Sequence, residues 1–205
     1  GKDKLLKAPD MYMEKIAIGQ NLPKNLVDLD FSVEKNIKLL SEAKNTRPDK
    51  LLACVLKRSR HNKIVTSLKL LGVNIKFIDD GDVSGAISVG NLNNKVDIYL
   101  GIGGAPEGVL AAAALDCLNC QMQTRLVFQN KDEKLKAKNY GIQDLKRKYY
   151  INDMIKGDVV FSATGVTDGS IVKGIKDLGD SFEAETFLLH KSSNTNKIIK
   201  NIIKK

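Results

Sequence analysis

The stretch that decides the fold class is residues 51–78, LLACVLKRSRHNKIVTSLKLLGVNIKFI. Its opening, residues 51–56, is a continuous apolar run, which is typical of a strand covered on both faces of a sheet. Apolar side chains at helical spacing follow over residues 62–71, and Gly72 is a residue type that commonly ends a helix. Residues 73–78 then predict a second strand. This strand–helix–strand order indicates an α/β protein with a largely parallel sheet.

The same alternation of short apolar runs and helical periodicity continues on both sides of this unit. With 205 residues, of which 42% are hydrophobic, the chain is long enough to bury one sizeable core, and we predict one domain over residues 1–205. The basic ending, residues 196–205, is predicted as a short helix or a frayed tail. Further strands are predicted at residues 12–18, 96–100, 125–128, 159–163 and 182–190, and further helices at residues 33–43, 83–89, 106–118 and 131–139.

The composition argues against a membrane protein, a secreted protein and a nucleic-acid-binding domain. No apolar stretch approaches the ~20 residues that span a bilayer, and the start GKDKLLKAPD lacks the apolar core of a secretory signal. The net charge of +9 comes mostly from scattered lysines. The chain has no Trp and only 5% aromatic residues, whereas proteins that bind single-stranded nucleic acid stack bases on aromatic side chains. We therefore expect a soluble cytoplasmic protein with no membrane or nucleic-acid partner.

The three cysteines, an odd number, favour a reducing compartment and include Cys117 and Cys120 in a C-x-x-C spacing. A structural zinc site needs four ligands, and no second cysteine or histidine pair is available, because His61 and His190 are isolated. We interpret the pair as small side chains near a helix end, with a redox pair as the alternative.

Four polar turns each follow a predicted strand directly. They are residues 57–61, 79–82, 101–107 and 162–167. If the strands are parallel, the four turns gather at the carboxyl edge of the sheet, which is where open α/β sheets bind their ligands. The chemistry of the chain is therefore expected in these turns.

The first turn is basic and stands where a helix begins. Arg58 and Arg60 present guanidinium groups that suit phosphate oxygens, and a helix N-terminus adds partial positive charge. A solvated basic turn is the alternative interpretation. His61 is interpreted as a capping or exposed histidine rather than as an acid or base beside a phosphate.

The next two turns carry carboxylates. Asp80 and Asp82 flank Gly81, and such a pair either binds a cation or sugar hydroxyls or simply forms an Asp-Gly turn. The glycine-rich turn at residues 101–107 matches neither the dinucleotide-binding spacing nor a Walker loop. It offers backbone N–H groups beside Glu107, which either complements the helix dipole or provides a hard oxygen ligand for Mg²⁺ or Mn²⁺.

Four strings in this order carry a resemblance to a known family. They are APDMYMEK at residues 8–15, DGD at 80–82, GIGGAPEG at 101–108 and FSATGVT at 161–167. Together they closely resemble class II fructose-1,6-bisphosphatases, and the resemblance extends over residues 8–189. The GIGGAPEG string is the most specific of the four.

This resemblance implies a layered sugar-phosphatase fold and a metal-dependent reaction. With Mg²⁺ or Mn²⁺, such enzymes hydrolyse the 1-phosphate of fructose 1,6-bisphosphate to fructose 6-phosphate and phosphate, a step of gluconeogenesis. Glu107 corresponds to a metal ligand. The chain has Arg58-Ser59-Arg60 where the family usually has Lys-Pro-Arg, so the charge is kept while its geometry changes. The positions that correspond to substrate contacts are Tyr12, Arg58, Ser59, Arg60, Asp80, Gly81, Asp82 and Gly104.

The resemblance also concerns what lies outside this sequence. The family's amino-terminal part, with the other metal-binding carboxylates, would precede Gly1. We therefore expect these residues to be the carboxyl-terminal part of the fold, with one metal ligand, no catalytic residue of their own and no activity in isolation. A noncatalytic sugar-phosphate-binding module is the alternative function, and a homo-oligomer is the expected assembly.

Overall fold

The computed structural model of the chain describes residues 3–90 and 96–205 and contains two β-sheets. Residues 1–2 and 91–95 of the predicted domain lie outside the described residues. The strands are β1 (Tyr12–Ile18), β2 (Leu52–Leu56), β3 (Asn74–Ile78), β4 (Ile98–Gly104), β5 (Gln121–Val127), β6 (Lys148–Tyr150), β7 (Val160–Thr164), β8 (Lys176–Asp177), β9 (Ser181–His190) and β10 (Thr195–Lys204). The α-helices are α1 (Val33–Ala43), α2 (Asn62–Leu70), α3 (Asp82–Ile87), α4 (Ala105–Cys117), α5 (Lys131–Asn139) and α6 (Ile151–Met154).

The larger sheet has six strands in the order β3-β2-β4-β1-β5-β6. Strand β2 pairs in parallel with β3 and β4, whereas β1 is antiparallel to both β4 and β5, and β6 is antiparallel to β5. Strands β2, β3, β4 and β5 therefore run in one direction, and β1 runs against them from inside the sheet. The predicted α/β class with a largely parallel sheet is confirmed.

The elements are stacked in layers around this sheet. Ile16 and Ile18 of β1 pack on Ile37 and Leu40 of α1, so that α1 and α2 cover one face. Helices α3 and α4 cover the other face, where Tyr99 lies in their shared core. The second sheet, β7 to β10, packs on the far side of α4. The segments that follow the strands of the large sheet are where open α/β sheets form their sites.

Several predicted elements match the structure closely. The bounds predicted for β1, α1 and α5 are those observed, and β2, α2, β3 and β9 differ by one residue at one end. Cys117 is the last residue of α4 and Cys120 precedes β5, which confirms their predicted place near a helix end. Both thiols are buried, and burial raises their pKa, to about 12 for Cys120. None of the described helices is long and apolar enough to cross a membrane.

The prediction for the basic ending is wrong. Residues 195–204 form β10, which pairs antiparallel with β9 along ten successive residues. Its apolar residues Ile198, Ile199, Ile202 and Ile203 recur at helical spacing, which is why the sequence indicates a helix. The hydrogen bonds offered by β9 override that local preference, as tertiary context often does.

The glycine-rich segment and the fourth polar turn also need correction. Strand β4 continues through Gly104, and α4 begins at Ala105, so the glycines before Ala105 are part of the sheet rather than of a turn. Ser162–Thr164 lie inside β7 of the second sheet, so this segment does not join the edge formed by the other three. Three polar segments, not four, gather at the carboxyl edge of β2, β3 and β4.

Candidate functional site

The candidate site is the carboxyl edge of the three adjacent parallel strands β3, β2 and β4. The segment after β2 carries Arg58, Ser59 and Arg60, and all three are exposed. Asp80 follows β3 and is also exposed, and Glu107 follows β4 in the first turn of α4. The parallel order of the strands brings these segments together from separate parts of the sequence.

Arg60 is held against the neighbouring strands. Its Nε donates a hydrogen bond to the carbonyl oxygen of Ile102 at 2.9 Å, and its guanidinium carbon lies 4.9 Å from the centroid of the Tyr12 ring. The two terminal nitrogens of the guanidinium remain for a ligand, and a stacked, hydrogen-bonded arginine loses little freedom on binding. Arg58 instead donates from Nη1 to its neighbour, the Lys57 carbonyl, at 3.0 Å.

His61 is the N-cap residue of α2, but it is buried and its side chain makes no capping hydrogen bond, so the interpretation as an exposed histidine is wrong. Its Nδ1 lies 2.7 Å from the carbonyl oxygen of Leu56, and the N–H of Ile102 donates to its Nε2 at 2.8 Å. These partners require a neutral ring with the proton on Nδ1. Burial lowers the pKa of His61 and so favours that neutral form. His61 thereby joins the end of β2 to β4 beside Arg60.

The two aspartates of the DGD string have different surroundings. Asp80 is exposed, and its Oδ1 accepts a hydrogen bond from the N–H of Gly81 at 2.9 Å in the bend that follows β3. Gly81 adopts a φ of +82°, a conformation that favours glycine. Asp82 opens α3 and is buried, with Lys15 Nζ donating to its Oδ2 and the Tyr99 hydroxyl to its Oδ1. An exposed carboxylate with one oxygen bonded to the backbone and a buried carboxylate with both oxygens bonded to side chains thus stand two residues apart.

The glycines of β4 make room for this buried group, a reason that the sequence alone does not show. A Cβ on Gly103 would clash with the Asp82 carboxylate, and one on Gly101 would lie 2.7 Å from the Tyr99 hydroxyl. In α4, a Cβ on Gly108 would lie 2.9 Å from Lys15 Cε. We call Lys15, Asp82 and Tyr99 the buried triad. The one signal for it in the sequence is Lys15, which stands between apolar residues on the face of β1 that also carries Met13.

Glu107 is exposed and caps its own helix. Its Oε2 accepts a hydrogen bond from the N–H of Gly104 at 3.1 Å. A Cβ on Gly104 would lie 2.8 Å from the same oxygen, so glycine allows the carboxylate to approach. Among the residues that the structure describes, no three His, Cys, Asp or Glu side chains form a group that could hold a metal ion. The described residues therefore do not complete a metal site, although an exposed carboxylate such as that of Glu107 is the ligand type that Mg²⁺ and Mn²⁺ prefer.

Comparisons with known proteins agree on one family. A family model described as bacterial fructose-1,6-bisphosphatase, glpX-encoded, matches residues 1–203. The class 2 fructose-1,6-bisphosphatase of Haemophilus influenzae is 35% identical over 98% of this chain and 64% of its own length. Two further relatives are named D-fructose 1,6-bisphosphatase class 2/sedoheptulose 1,7-bisphosphatase. The one from Gloeobacter violaceus is 33% identical over 97% of this chain, and the one from Synechococcus sp. (strain JA-2-3B'a(2-13)) is 33% identical over 98% of this chain. The chain spans 61% of the length of each of these two relatives.

Proposed function

Because the chain belongs to the bacterial, glpX-encoded fructose-1,6-bisphosphatase family, we propose that it binds fructose 1,6-bisphosphate for hydrolysis of the 1-phosphate. The proposed products are fructose 6-phosphate and phosphate, and we propose that the reaction is a step of gluconeogenesis in the cytoplasm. The observation that carries the proposal is the carboxyl edge itself, because an anchored arginine and two exposed carboxylates follow adjacent parallel strands there. The chain contributes substrate-binding segments and one metal ligand.

Phosphate binding rests on the basic segment after β2. Arg60 is fixed through Nε and the Tyr12 ring, so that its two terminal nitrogens face a phosphate in the forked geometry that guanidinium groups offer. Arg58 and Ser59 are exposed beside it and extend the set of donors. We assign the phosphate that does not react to this segment.

Sugar recognition is assigned to the turn after β3 and to the end of β4. Asp80 keeps an exposed carboxylate that accepts hydrogen bonds from sugar hydroxyls, and we assign the backbone at Gly81 and Gly104 as further contacts. Asp82 stays a predicted contact, although both of its oxygens already accept hydrogen bonds inside the protein. We therefore expect Asp80 to contribute more than Asp82 to direct contact with the sugar.

Glu107 would hold the divalent cation through the carboxylate oxygen that is not engaged by Gly104. When bound, Mg²⁺ or Mn²⁺ neutralises the charge on the transferring phosphoryl group. The residues of this chain bind and orient the bisphosphate, and none of them is assigned as a catalytic acid, base or nucleophile. We expect the functional assembly to be a homo-oligomer.

A noncatalytic sugar-phosphate-binding module is the second candidate. The observation in its favour is that Glu107 belongs to no group of three or more metal-ligating side chains among the described residues. Such a module would bind the bisphosphate through Arg60 and would release no phosphate in any protein that carries this chain. The two candidates therefore differ in turnover and not in binding.

The test measures phosphate release from fructose 1,6-bisphosphate with Mn²⁺ in the protein that carries this chain, with Glu107→Gln and Glu133→Gln as variants. Glu133 is a matched control, because it lies in the first turn of α5 and accepts a backbone N–H from Gln129 at 2.7 Å. We expect turnover in the parent protein and in Glu133→Gln, and a large loss in Glu107→Gln. Binding without turnover in the parent protein would favour the noncatalytic module.

A further inference from the structure

Lys15 is a buried lysine in the middle of β1, with a side chain that is 0% exposed. Its Nζ donates to Asp82 Oδ2 and to the carbonyl oxygen of Gly104, the latter at 2.8 Å. Lysine is almost never fully buried unless it is paired. The pairing accounts for the burial of this charge, but not for the presence of a charge at this position.

A purely stabilising role does not explain a buried ion pair well. Replacing such a pair by apolar side chains of similar size is often neutral or stabilising, because the desolvation of both charges offsets their attraction. Met13, which packs beside Gly108 as Lys15 does, shows that β1 presents an apolar side chain on this same face. The polar group at position 15 therefore calls for a role other than filling the core.

The two partners of Lys15 both lie at the candidate site. Asp82 is the first residue of α3, and Gly104 is the last residue of β4 before α4 begins. One ammonium group thus ties together the starting points of two helices that come from separate parts of the chain. The Tyr99 hydroxyl occupies the other oxygen of Asp82 and completes the group from within β4.

Gly104 connects Lys15 to Glu107, the proposed metal ligand, through two hydrogen bonds. Its carbonyl oxygen accepts from Lys15 Nζ, while its own N–H donates to Glu107 Oε2 at 3.1 Å. The two polar groups of a single residue therefore connect the buried ammonium to the exposed carboxylate. Since Gly104 has no side chain to hold it in place, these contacts and the strand pairing of β4 set its orientation.

We propose that Lys15 is a positioning residue, which acts through Gly104 to hold Glu107 in the orientation that receives a divalent cation. This role rests on the proposed function of Glu107 as a metal ligand. Lys15 does not touch the ligand or the cation. It belongs to the outer shell of groups that orient a metal ligand through hydrogen bonds. The loss of such groups typically lowers metal affinity by about 10-fold to 100-fold.

The first experiment compares Lys15→Met, Lys15→Met/Asp82→Asn and the control Lys148→Met in the protein that carries this chain. The double variant leaves no uncompensated charge in the core. The control removes a lysine of the same sheet that pairs with Asp28 and Asp30 at 2.7 Å. For both Lys15 variants we expect the Mn²⁺ concentration at half-maximal activity to rise at least about tenfold. Lys148→Met should leave it unchanged.

A double-mutant cycle with Glu107→Gln separates positioning from a general loss of structure. If Lys15 acts through Glu107, Lys15→Met adds little to the Mn²⁺ requirement of Glu107→Gln, because residues of one network are not additive. Amide hydrogen exchange over residues 101–108 should also accelerate in the double variant while exchange in β2 keeps its rate. Wild-type exchange over residues 101–108 in the folded double variant would overturn the proposal.

A third measurement needs neither a Lys15 variant nor turnover. The nitrogen chemical shift of the Lys15 ammonium group is compared in the parent protein, in Glu107→Gln and in Glu133→Gln. We expect it to move in Glu107→Gln only, and an unmoved signal would overturn the coupling. A parent protein without phosphate release but with this shift would contradict the proposed function and leave the link between Lys15 and Glu107 standing.

Discussion

Neighbouring residues of β1 belong to two very different groups of charges. Glu14 and Lys15 point to opposite faces of the large sheet, as successive residues of a strand must. Lys15 enters the buried triad with Asp82 and Tyr99. Glu14, 28% exposed, pairs with Arg125, which lies directly opposite it on β5. The remaining members of this open cluster are Asp28, Asp30 and Lys148.

The comparison shows that position, and not the number of ion pairs, decides what a charge does. Charges in the open cluster keep contact with water, so their attractions are screened and each pair contributes little. The buried triad has no such screening, and its members have hydrogen-bond partners at the carboxyl edge. We expect changes in the triad to affect both folding and the site, and changes in the open cluster to affect neither strongly.

The largest effect is expected when the triad loses its carboxylate. Asp82→Asn leaves the Lys15 ammonium buried without a counter-charge, and breaking a buried pair in this way costs about 3–5 kcal/mol. Glu14→Gln is the matched control and should cost less than about 1 kcal/mol. Denaturant unfolding of both variants measures the two values. Equal losses would mean that the two clusters do not differ as the burial of their side chains implies.

The next effect concerns the arginine that lies beside the triad. Arg60→Ala removes charged hydrogen bonds to the nonreacting phosphate and should weaken binding of fructose 1,6-bisphosphate about tenfold to a hundredfold. Arg47→Ala, at an exposed position after α1, is the control and should bind as the parent does. Titration calorimetry gives both dissociation constants. An unchanged affinity in Arg60→Ala would remove this residue from the site.

The free energy of unfolding is expected to depend on pH through His61, which is buried like the triad. Burial lowers the pKa of His61 in the folded protein below the ordinary 6.5. Between the two pKa values the unfolded chain therefore binds a proton on this side chain and the folded protein does not. The free energy of unfolding should therefore fall as the pH drops below about 6.5 towards the folded pKa. In His61→Gln this part of the pH dependence should be missing. Parallel stability curves for the two proteins would contradict this.

The smallest effect is the response of the open cluster to salt. Raising the salt from about 0.05 M to about 1 M shortens the screening length to ~3 Å, which should abolish the small cost of Glu14→Gln. The cost of Asp82→Asn should persist, because ions do not reach the triad. Unfolding curves at both salt concentrations provide the measurement. A salt-sensitive Asp82→Asn would show that water reaches the buried group.

The sequence-based predictions were accurate where a structure depends on neighbouring residues in the sequence, and they failed where it depends on distant ones. Strand β1 and helix α1 were predictable because the spacing of their apolar residues is a local signal. In α1 the Ser32 side chain also accepts a hydrogen bond from the N–H of Lys35 and caps the start of the helix. Strands β6 and β8 and helix α6 were missed because two to four residues hold too little periodicity. Strand β10 was misread because its spacing suits a helix while its partner is β9.

The site was partly predictable for the same reason. A basic turn, an Asp-Gly turn and a glycine string after apolar runs are visible in the sequence, and the parallel order of β2, β3 and β4 brings them together as expected. The wrong details, an exposed His61 and a glycine turn, concern residues whose burial depends on a neighbouring strand. Their surroundings are set by contacts that no short stretch of sequence contains.

The sequence by itself determined where strands of the large sheet alternate with helices, because alternating burial requires apolar residues at regular spacing. It also determined which residue types end those strands. Only the tertiary structure decided that Lys15 meets a carboxylate 67 residues away, and that Gly103 and Gly108 make room for it. The physical reason is that the sequence around a lysine in a strand does not show whether its ammonium group is solvated by water or paired with a buried carboxylate such as Asp82. That choice depends on which elements pack over it.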